Sequence, residues 1–330
     1  MQKQRVGSGP VSSFVIQKLL AVVALATIAF TAGALAQSSV STDNREPFSE
    51  AWWTGPLLAN SAATLPHGHF LIEPYVYDVI SSNTNALGSR AYVEYGLIDK
   101  LTVGLIPIIG YNVVTDGPNS SGIRFGDFTP IAQYRLRKFR EGSWLPMMAV
   151  QVQQTFPTGK YDQLGDRPSD GLGSGVYSTL VGVNNQTYFW MPNGRILRMR
   201  FNVAETFSTK ANIQDVSVYG TTTGFRGYAY PGAAFSIDAA WEYSLTQRWV
   251  LALDVIYNQR GNTPVTGYNI QAPDTSIRLN SGSSAGAGCA PAIEYNWNSR
   301  WGVIFGTRVI APGRNTTSSV APVAAINIVL

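Results

Sequence analysis

Apolar and polar residues alternate with period two through most of the chain from residue 69 to its end, and that period marks strands rather than helices. In Trp249–Asn258 one face carries Trp249, Leu251, Leu253, Val255 and Tyr257, and the other Val250, Ala252, Asp254, Ile256 and Asn258. Upstream, Phe235, Ile237, Ala239, Trp241 and Tyr243 oppose Ser236, Asp238, Ala240 and Glu242, and Leu197, Met199, Phe201 and Val203 oppose Arg198, Arg200, Asn202 and Ala204. The pattern predicts twelve strands, near 69–79, 90–97, 101–113, 122–137, 144–156, 174–190, 196–209, 231–245, 248–259, 283–297, 300–311 and 318–330.

Alternation of this kind also suits a soluble sandwich. The connections separate the two. Short links such as Leu97-Ile98-Asp99-Lys100, Met191-Pro192-Asn193-Gly194, Thr246-Gln247 and Asn298-Ser299 alternate with long polar ones at 157–173, 210–230 and 260–282. Short turns at one end and long loops at the other belong to a transmembrane barrel, and aromatics at both ends of an apolar face mark its two water interfaces. The expected fold is all-β: an antiparallel up-and-down transmembrane barrel of about 12 strands, with both termini periplasmic. The last strand would show Ala324, Ile326, Ile328 and Leu330 to lipid; it ends on Leu330, where bacterial barrels commonly end on an aromatic residue.

Residues 1–36 read differently. Lys3, Arg5 and Lys18 precede an apolar run from Leu19 to Phe30, and Ala34-Leu35-Ala36 offers a small-residue cleavage site. This is the layout of a secretory signal peptide. Its removal takes the formal net charge from +4 to +1, with 21 Lys and Arg left against 20 Asp and Glu, and no basic cluster remains for nucleic acid. Charged residues make up only 13% of the chain, about half the share of an ordinary soluble domain. A mean hydropathy near zero and the lack of a second long apolar run argue against helical spans. The single cysteine, Cys289, excludes an internal disulfide framework. Three parts follow: 1–36 a signal peptide, 37–68 a periplasmic leader or plug, and 69–330 the barrel.

Short motifs give this chain a family resemblance. Trp53-Thr54-Gly55-Pro56-Leu57 leads to Leu65-Pro66-His67-Gly68-His69 and Ile72-Glu73-Pro74-Tyr75, followed by Glu94-Tyr95-Gly96-Leu97-Ile98-Asp99-Lys100-Leu101, Gly126-Asp127-Phe128 and Phe156-Pro157-Thr158-Gly159-Lys160-Tyr161. In order and spacing, over roughly 53–330, these resemble the transporter-like outer-membrane family labelled as phenol-degradation meta-pathway proteins. The resemblance implies a β-barrel in a bacterial outer membrane, passing small hydrophobic or aromatic solutes passively. The alternative is a closed structural or interaction barrel that displays its long loops and transports nothing. Either needs outer-membrane lipid and the barrel assembly machinery as partners. The first also needs a small-molecule solute. No cofactor is expected.

Catalysis has little to work with. A barrel lipase needs a nucleophile beside a histidine base, and the only histidines, His67 and His69, precede or open the first strand. His67-Gly68-His69 reads as a turn into the first strand rather than as metal ligands, and Thr158-Gly159-Lys160 lacks the upstream glycine of a phosphate loop. The candidate functional residues are those that an outward apolar face leaves in the lumen. In the first half of the barrel they are Glu73, Glu94, Asp127 and Arg135; in the second, Arg198, Arg200, Asp238, Glu242, Asp254, Glu294 and Arg308. They either line a water-filled passage or pair across a narrow interior; at about twelve strands the bore allows both. In the leader, Trp52, Trp53, Leu57 and Leu58 need an apolar surface. They either plug the periplasmic mouth or lie at the membrane interface, where tryptophan is favoured.

Cleavage is expected after Ala36, giving a mature chain that begins at Gln37. N-terminal sequencing of protein from outer-membrane fractions checks this, and a mature start upstream of Leu19 contradicts it.

Overall fold

A computed structural model describes residues 45–330; the secretion signal expected over 1–36 and the start of the leader lie outside the described residues. The strands are β1 (Phe70–Ile80), β2 (Thr84–Ile98), β3 (Leu101–Leu105), β4 (Ile108–Val114), β5 (Arg124–Phe125), β6 (Pro130–Arg137), β7 (Met147–Thr155), β8 (Ser178–Trp190) and β9 (Ile196–Ser208). Then come β10 (Ala211–Gln214), β11 (Phe225–Ala229), β12 (Ala234–Ser244), β13 (Trp249–Arg260), β14 (Pro264–Asn269), β15 (Ala272–Asn280), β16 (Ser284–Asn296), β17 (Trp301–Ile310) and β18 (Ser319–Val329).

Each wall strand pairs antiparallel with its neighbours in the chain, and β1 pairs with both β2 and β18, which closes the sheet on itself. Two wall strands are interrupted. β3 and β4 both pair with β2 and are halves of one strand, broken at Ile106-Pro107, where proline has no N–H to give the ladder. β5 and β6 are halves of the next, parted at Gly126–Thr129. With these joined, the wall is a closed antiparallel barrel of 12 strands. Closure leaves no sheet edge in the bilayer, where an unpaired N–H has no water to turn to. Among the described residues no helix is long and apolar enough to cross a membrane.

The facing follows the alternation. Leu253 is 41% exposed on the outer surface, while Asp254 beside it is 0% exposed. At the short-turn end aromatics gather: Trp249 and Tyr295 have ring centroids 4.7 Å apart, and Trp297 stands 5.6 Å from Tyr295. That is the belt expected where a strand meets headgroups.

The structure corrects the expectation of plain loops at 210–230 and 260–282. These hold β10, β11, β14 and β15, which pair in that order. They follow β9, precede β12, follow β13 and precede β16, so the same four wall strands continue in a separate sheet at the long-loop end. Their apolar residues are few: Ala211, Ile213, Phe225, Ala229 and Val265 form a small core with Val176 of the 156–177 loop. Two apolar residues in a four-residue strand are too few to establish a period. β2 also begins at Thr84, earlier than the expected 90, because Leu87 is the one large apolar residue at 84–89 and a single position shows no period.

The 156–177 loop is fastened to the wall where β5 and β6 part. Asp127 accepts from the Gly159 N–H at 2.9 Å, and from the Ser174 N–H at 2.8 Å and its hydroxyl at 2.5 Å. Asp170 pairs with Arg124 at 2.7 Å and accepts from the Ser121 N–H at 2.8 Å. The Arg124 guanidinium holds the Asp170 carboxyl well below the usual carboxylate range.

Leu253→Arg is expected to impair assembly far more than Leu253→Ala. A cation on the lipid face near the bilayer midplane costs about 2–4 kcal/mol. Heat-modifiable migration of membrane-inserted protein on a gel is the measurement. Equal yields for the two variants would contradict the facing.

Candidate functional site

The lumen holds part of its own chain. After a single 3-10 turn at Phe48–Glu50, residues 51–68 run without helix or strand. Such a segment cannot satisfy its own N–H and C=O groups, and buried ones need partners. The wall supplies them. Glu294 accepts from the Thr54 N–H at 2.7 Å and the Gly55 N–H at 3.1 Å. Asp254 accepts from the Leu57 N–H at 3.1 Å and the Ala59 N–H at 3.0 Å. Arg200 donates to the Ala59 carbonyl at 2.7 Å, Asn202 to the Asn60 carbonyl at 2.9 Å, and Gln133 to the Ala63 carbonyl at 2.8 Å.

The charges behind these contacts balance locally. Glu242 lies between two arginines: Arg198 donates to it through Nε at 2.6 Å and through Nη2, and Arg200 Nε is 3.1 Å away. Arg198 also lies over the Trp53 ring, 4.5 Å from its centroid, a cation–π contact out of bulk water. At the short-turn end Glu46 pairs with Arg195 at 2.6 Å and accepts from the Ser244 hydroxyl at 2.8 Å. Trp52 donates its N–H to the Gln247 carbonyl at 2.9 Å and gives its own carbonyl to Asn296 at 3.1 Å.

Local sequence makes the bend possible. Gly55 has φ +124°, a conformation side chains avoid, and a Cβ there would stand 3.3 Å from Arg200 Nη2. Pro56 follows and has no N–H to satisfy. Leu57 then packs among Tyr75, Ala290, Ile304 and Ala325. It comes this close because the inward face of β17 has Gly306, where a Cβ would lie 2.7 Å from Leu57 Cδ1.

The segment does not fill the lumen and leaves two cavities beside it. An inner one of about 260 Å³ lies toward the short-turn end and includes Glu73, Glu94, Gln133, Gln151 and Asn327 in its lining. An outer one of about 250 Å³ is lined by Tyr77, Val79, Arg90, Arg308, Ala321 and Val323. Leu57, Leu58, Tyr75 and Tyr92 line both cavities and form the septum between them. The Tyr75 and Tyr92 rings meet edge to face, with centroids 6.0 Å apart.

The residues named from sequence therefore fall into groups. Arg198, Arg200, Glu242, Asp254 and Glu294 engage one another and the segment. Glu73, which accepts from Asn327 at 3.2 Å, lines the inner cavity with Glu94, and Arg308 the outer. Asp238 faces inward further out on β12, and its Oδ1 is buried with no hydrogen bond among the described residues. Asp127 is a correction: its carboxylate is taken up by the 156–177 loop and is not a free lumen group. Arg135 sits at the short-turn rim and donates to the Asp99 carbonyl at 2.8 Å. His67 belongs to the turn before β1, its N–H on Asp99 at 3.0 Å and its ring Nδ1 2.8 Å from the Leu97 carbonyl. Sequence reasoning missed Glu46, Tyr75, Arg90 and Tyr92. The signal for the last three was their inward parity on β1 and β2.

No family model and no curated protein matches the sequence. Among solved structures, the chain is similar to an outer membrane channel from Pseudomonas putida F1, with a TM-score of 0.62 at 12% identity over 83% of this chain and 100% of that one. At that identity the likeness establishes the fold. Two further matches fall below the score at which a shared fold is claimed. One is the NanC porin, with a TM-score of 0.44 at 11% identity over 78% of this chain and 98% of that one. The other is the toluene transporter TodX of Pseudomonas putida, with 0.36 at 11% over 85% and 94%.

Replacing Asp254 and Glu294 together by Ala leaves four segment N–H groups without acceptors, at about 1–3 kcal/mol each. The amides of Thr54, Gly55, Leu57 and Ala59 are expected to exchange with solvent hydrogen much faster in that variant, while heat-modifiable migration persists. Unchanged exchange would mean that these carboxylates do not hold the segment.

Proposed function

We propose that the protein is a bacterial outer-membrane channel for the passive passage of small, hydrophobic or aromatic solutes. The observation that carries this is the pair of lumen cavities meeting at an apolar septum of Leu57, Leu58, Tyr75 and Tyr92. A barrel built only to display loops has no need of cavities on both sides of one apolar constriction. Each cavity exceeds the roughly 150 Å³ in which an apolar site holds benzene. Secretion by the N-terminal signal, insertion by the barrel assembly machinery and a plug role for residues 45–66 belong to the same reading. The barrel fold, which the P. putida F1 channel shares, supports it. So does the resemblance of the motifs to the transporter-like family.

The reaction is diffusion, and no residue changes covalently. The strands form the wall, the anchored segment narrows the bore, and the septum side chains set what passes. Apolar groups at the narrowest point disfavour hydrated ions and small polar solutes, which would lose hydration without new partners. A planar ring loses little there and gains aromatic contacts.

In planar bilayers the protein is expected to give only small current steps, because the apolar septum disfavours hydrated ions, and Leu57→Ala/Leu58→Ala larger ones, because shortening both leucines widens the septum. Proteoliposomes are expected to take up toluene faster than protein-free vesicles. Silence from both proteins, with toluene uptake at the vesicle rate, favours the closed barrel.

A further inference from the structure

Among the described residues, two lumen arginines are ion-paired to a carboxylate and the two that line the outer cavity are not. Arg198 and Arg200 share Glu242. Arg90 and Arg308 line the outer cavity, and among the described residues no carboxylate forms an ion pair with either. Arg90 shares the lining with Tyr77 and Tyr92. Arg308 keeps its Nε buried with no hydrogen-bond partner among the described residues. The two guanidiniums lie close enough to feel each other's charge. Two like charges at one cavity, one of them with an unused donor, call for an anion.

The rest of the lining says which kind. Tyr75, Tyr77 and Tyr92 supply aromatic surface, and Leu57, Leu58, Val79, Ala321 and Val323 supply aliphatic surface. A bare inorganic anion would leave that surface wet, and a neutral ring would leave the arginines unanswered. We propose that the outer cavity binds a small aromatic carboxylate, its carboxylate on Arg90 and Arg308 and its ring against the tyrosines and the septum leucines. Glu73 and Glu94 line the cavity beyond the septum. Arg198 and Arg200 line that inner cavity too, but both are ion-paired to Glu242, so the arginines of the outer cavity are the ones left to an anion. About 250 Å³ accommodates one substituted benzene ring. This site rests on the channel reading, of which it names the substrate class.

The test is titration calorimetry on the full protein in detergent with benzoate, its neutral analogue benzamide, and acetate, which has no ring. Benzoate is expected to bind more tightly than either of the others. Arg90→Gln/Arg308→Gln is expected to weaken benzoate by about ten- to a hundredfold, the loss of charge-assisted hydrogen bonds, and to leave benzamide unchanged. The Arg90→Lys/Arg308→Lys variant is expected to recover part of the loss. Equal affinity of the wild-type protein for benzoate and benzamide overturns the proposal without any variant, as does an unweakened benzoate affinity in a double Gln variant that keeps heat-modifiable migration. In either case toluene uptake and current steps still stand for the channel reading. Benzoate selectivity in a protein that gives neither uptake nor current supports the site and removes the channel.

Discussion

An irregular peptide inside a barrel must find a hydrogen-bond partner for every backbone group that it hides from water. The rest of the lumen depends on that constraint. The usual solution, another strand, is closed off, because the wall already uses its own N–H and C=O groups in its ladder. Side chains of the wall have to do it, and the strongest acceptors for N–H groups are carboxylates. Asp254 and Glu294 each accept two. Glu242 accepts none from the segment. It offsets Arg198 and Arg200, and Arg200 is thereby free to serve the Ala59 carbonyl. A buried ion pair is weak evidence for stability in itself. Here it lets two cations face a peptide in an enclosed space at little net charge.

That arrangement also decides where a passage can lie. The carboxylates and arginines that hold the segment come from β9, β12, β13 and β16, and the segment lies against that side. Leu57 reaches across to β17, β18 and β1, and the two cavities lie between the segment and the wall on either side of that contact. The choice between a lined channel and a filled interior is thus not one choice for the whole barrel. Part of the interior is filled by the segment and its anchors, and part is left as lined cavity.

The wall was legible because its physics is periodic. A strand with lipid on one side and a crowded lumen on the other has to alternate, and in Trp249–Tyr257 the large apolar residues keep to one parity while exposed and buried positions alternate at every residue. Even the connection lengths carried information. The segment was not legible in the same way. It has no period, and its partners lie some 200 residues away: Thr54 against Glu294, Leu57 against Asp254. Tryptophans and leucines in the leader showed that it needed a surface, without showing which one. The lumen charges could be counted from parity but not paired, since pairing depends on which strands are neighbours and on where the segment runs. The outer sheet was hidden for a further reason. Its strands carry too few apolar residues, and part of their core comes from another loop, so Val176 packs with Phe225 and Val265.

The anchors fix where motion can occur. The segment backbone is held at residue 57 and again at 59 by hydrogen bonds to one carboxylate. Each such bond to a charged group contributes about 1.5–3 kcal/mol, and Thr54 and Gly55 add two more. Lifting the whole segment from the wall breaks all of these together. The septum side chains are held differently. Leu57 is 5% exposed in its apolar cluster, but Leu58 only packs against the edge of it and is partly open to the cavities. Rotamer changes in a side chain of that kind occur in picoseconds to nanoseconds and cost none of the anchoring bonds. The same contacts that keep the segment in the lumen therefore confine opening in the proposed channel to the side chains of the septum, where a narrow solute would cross while the segment stays in place.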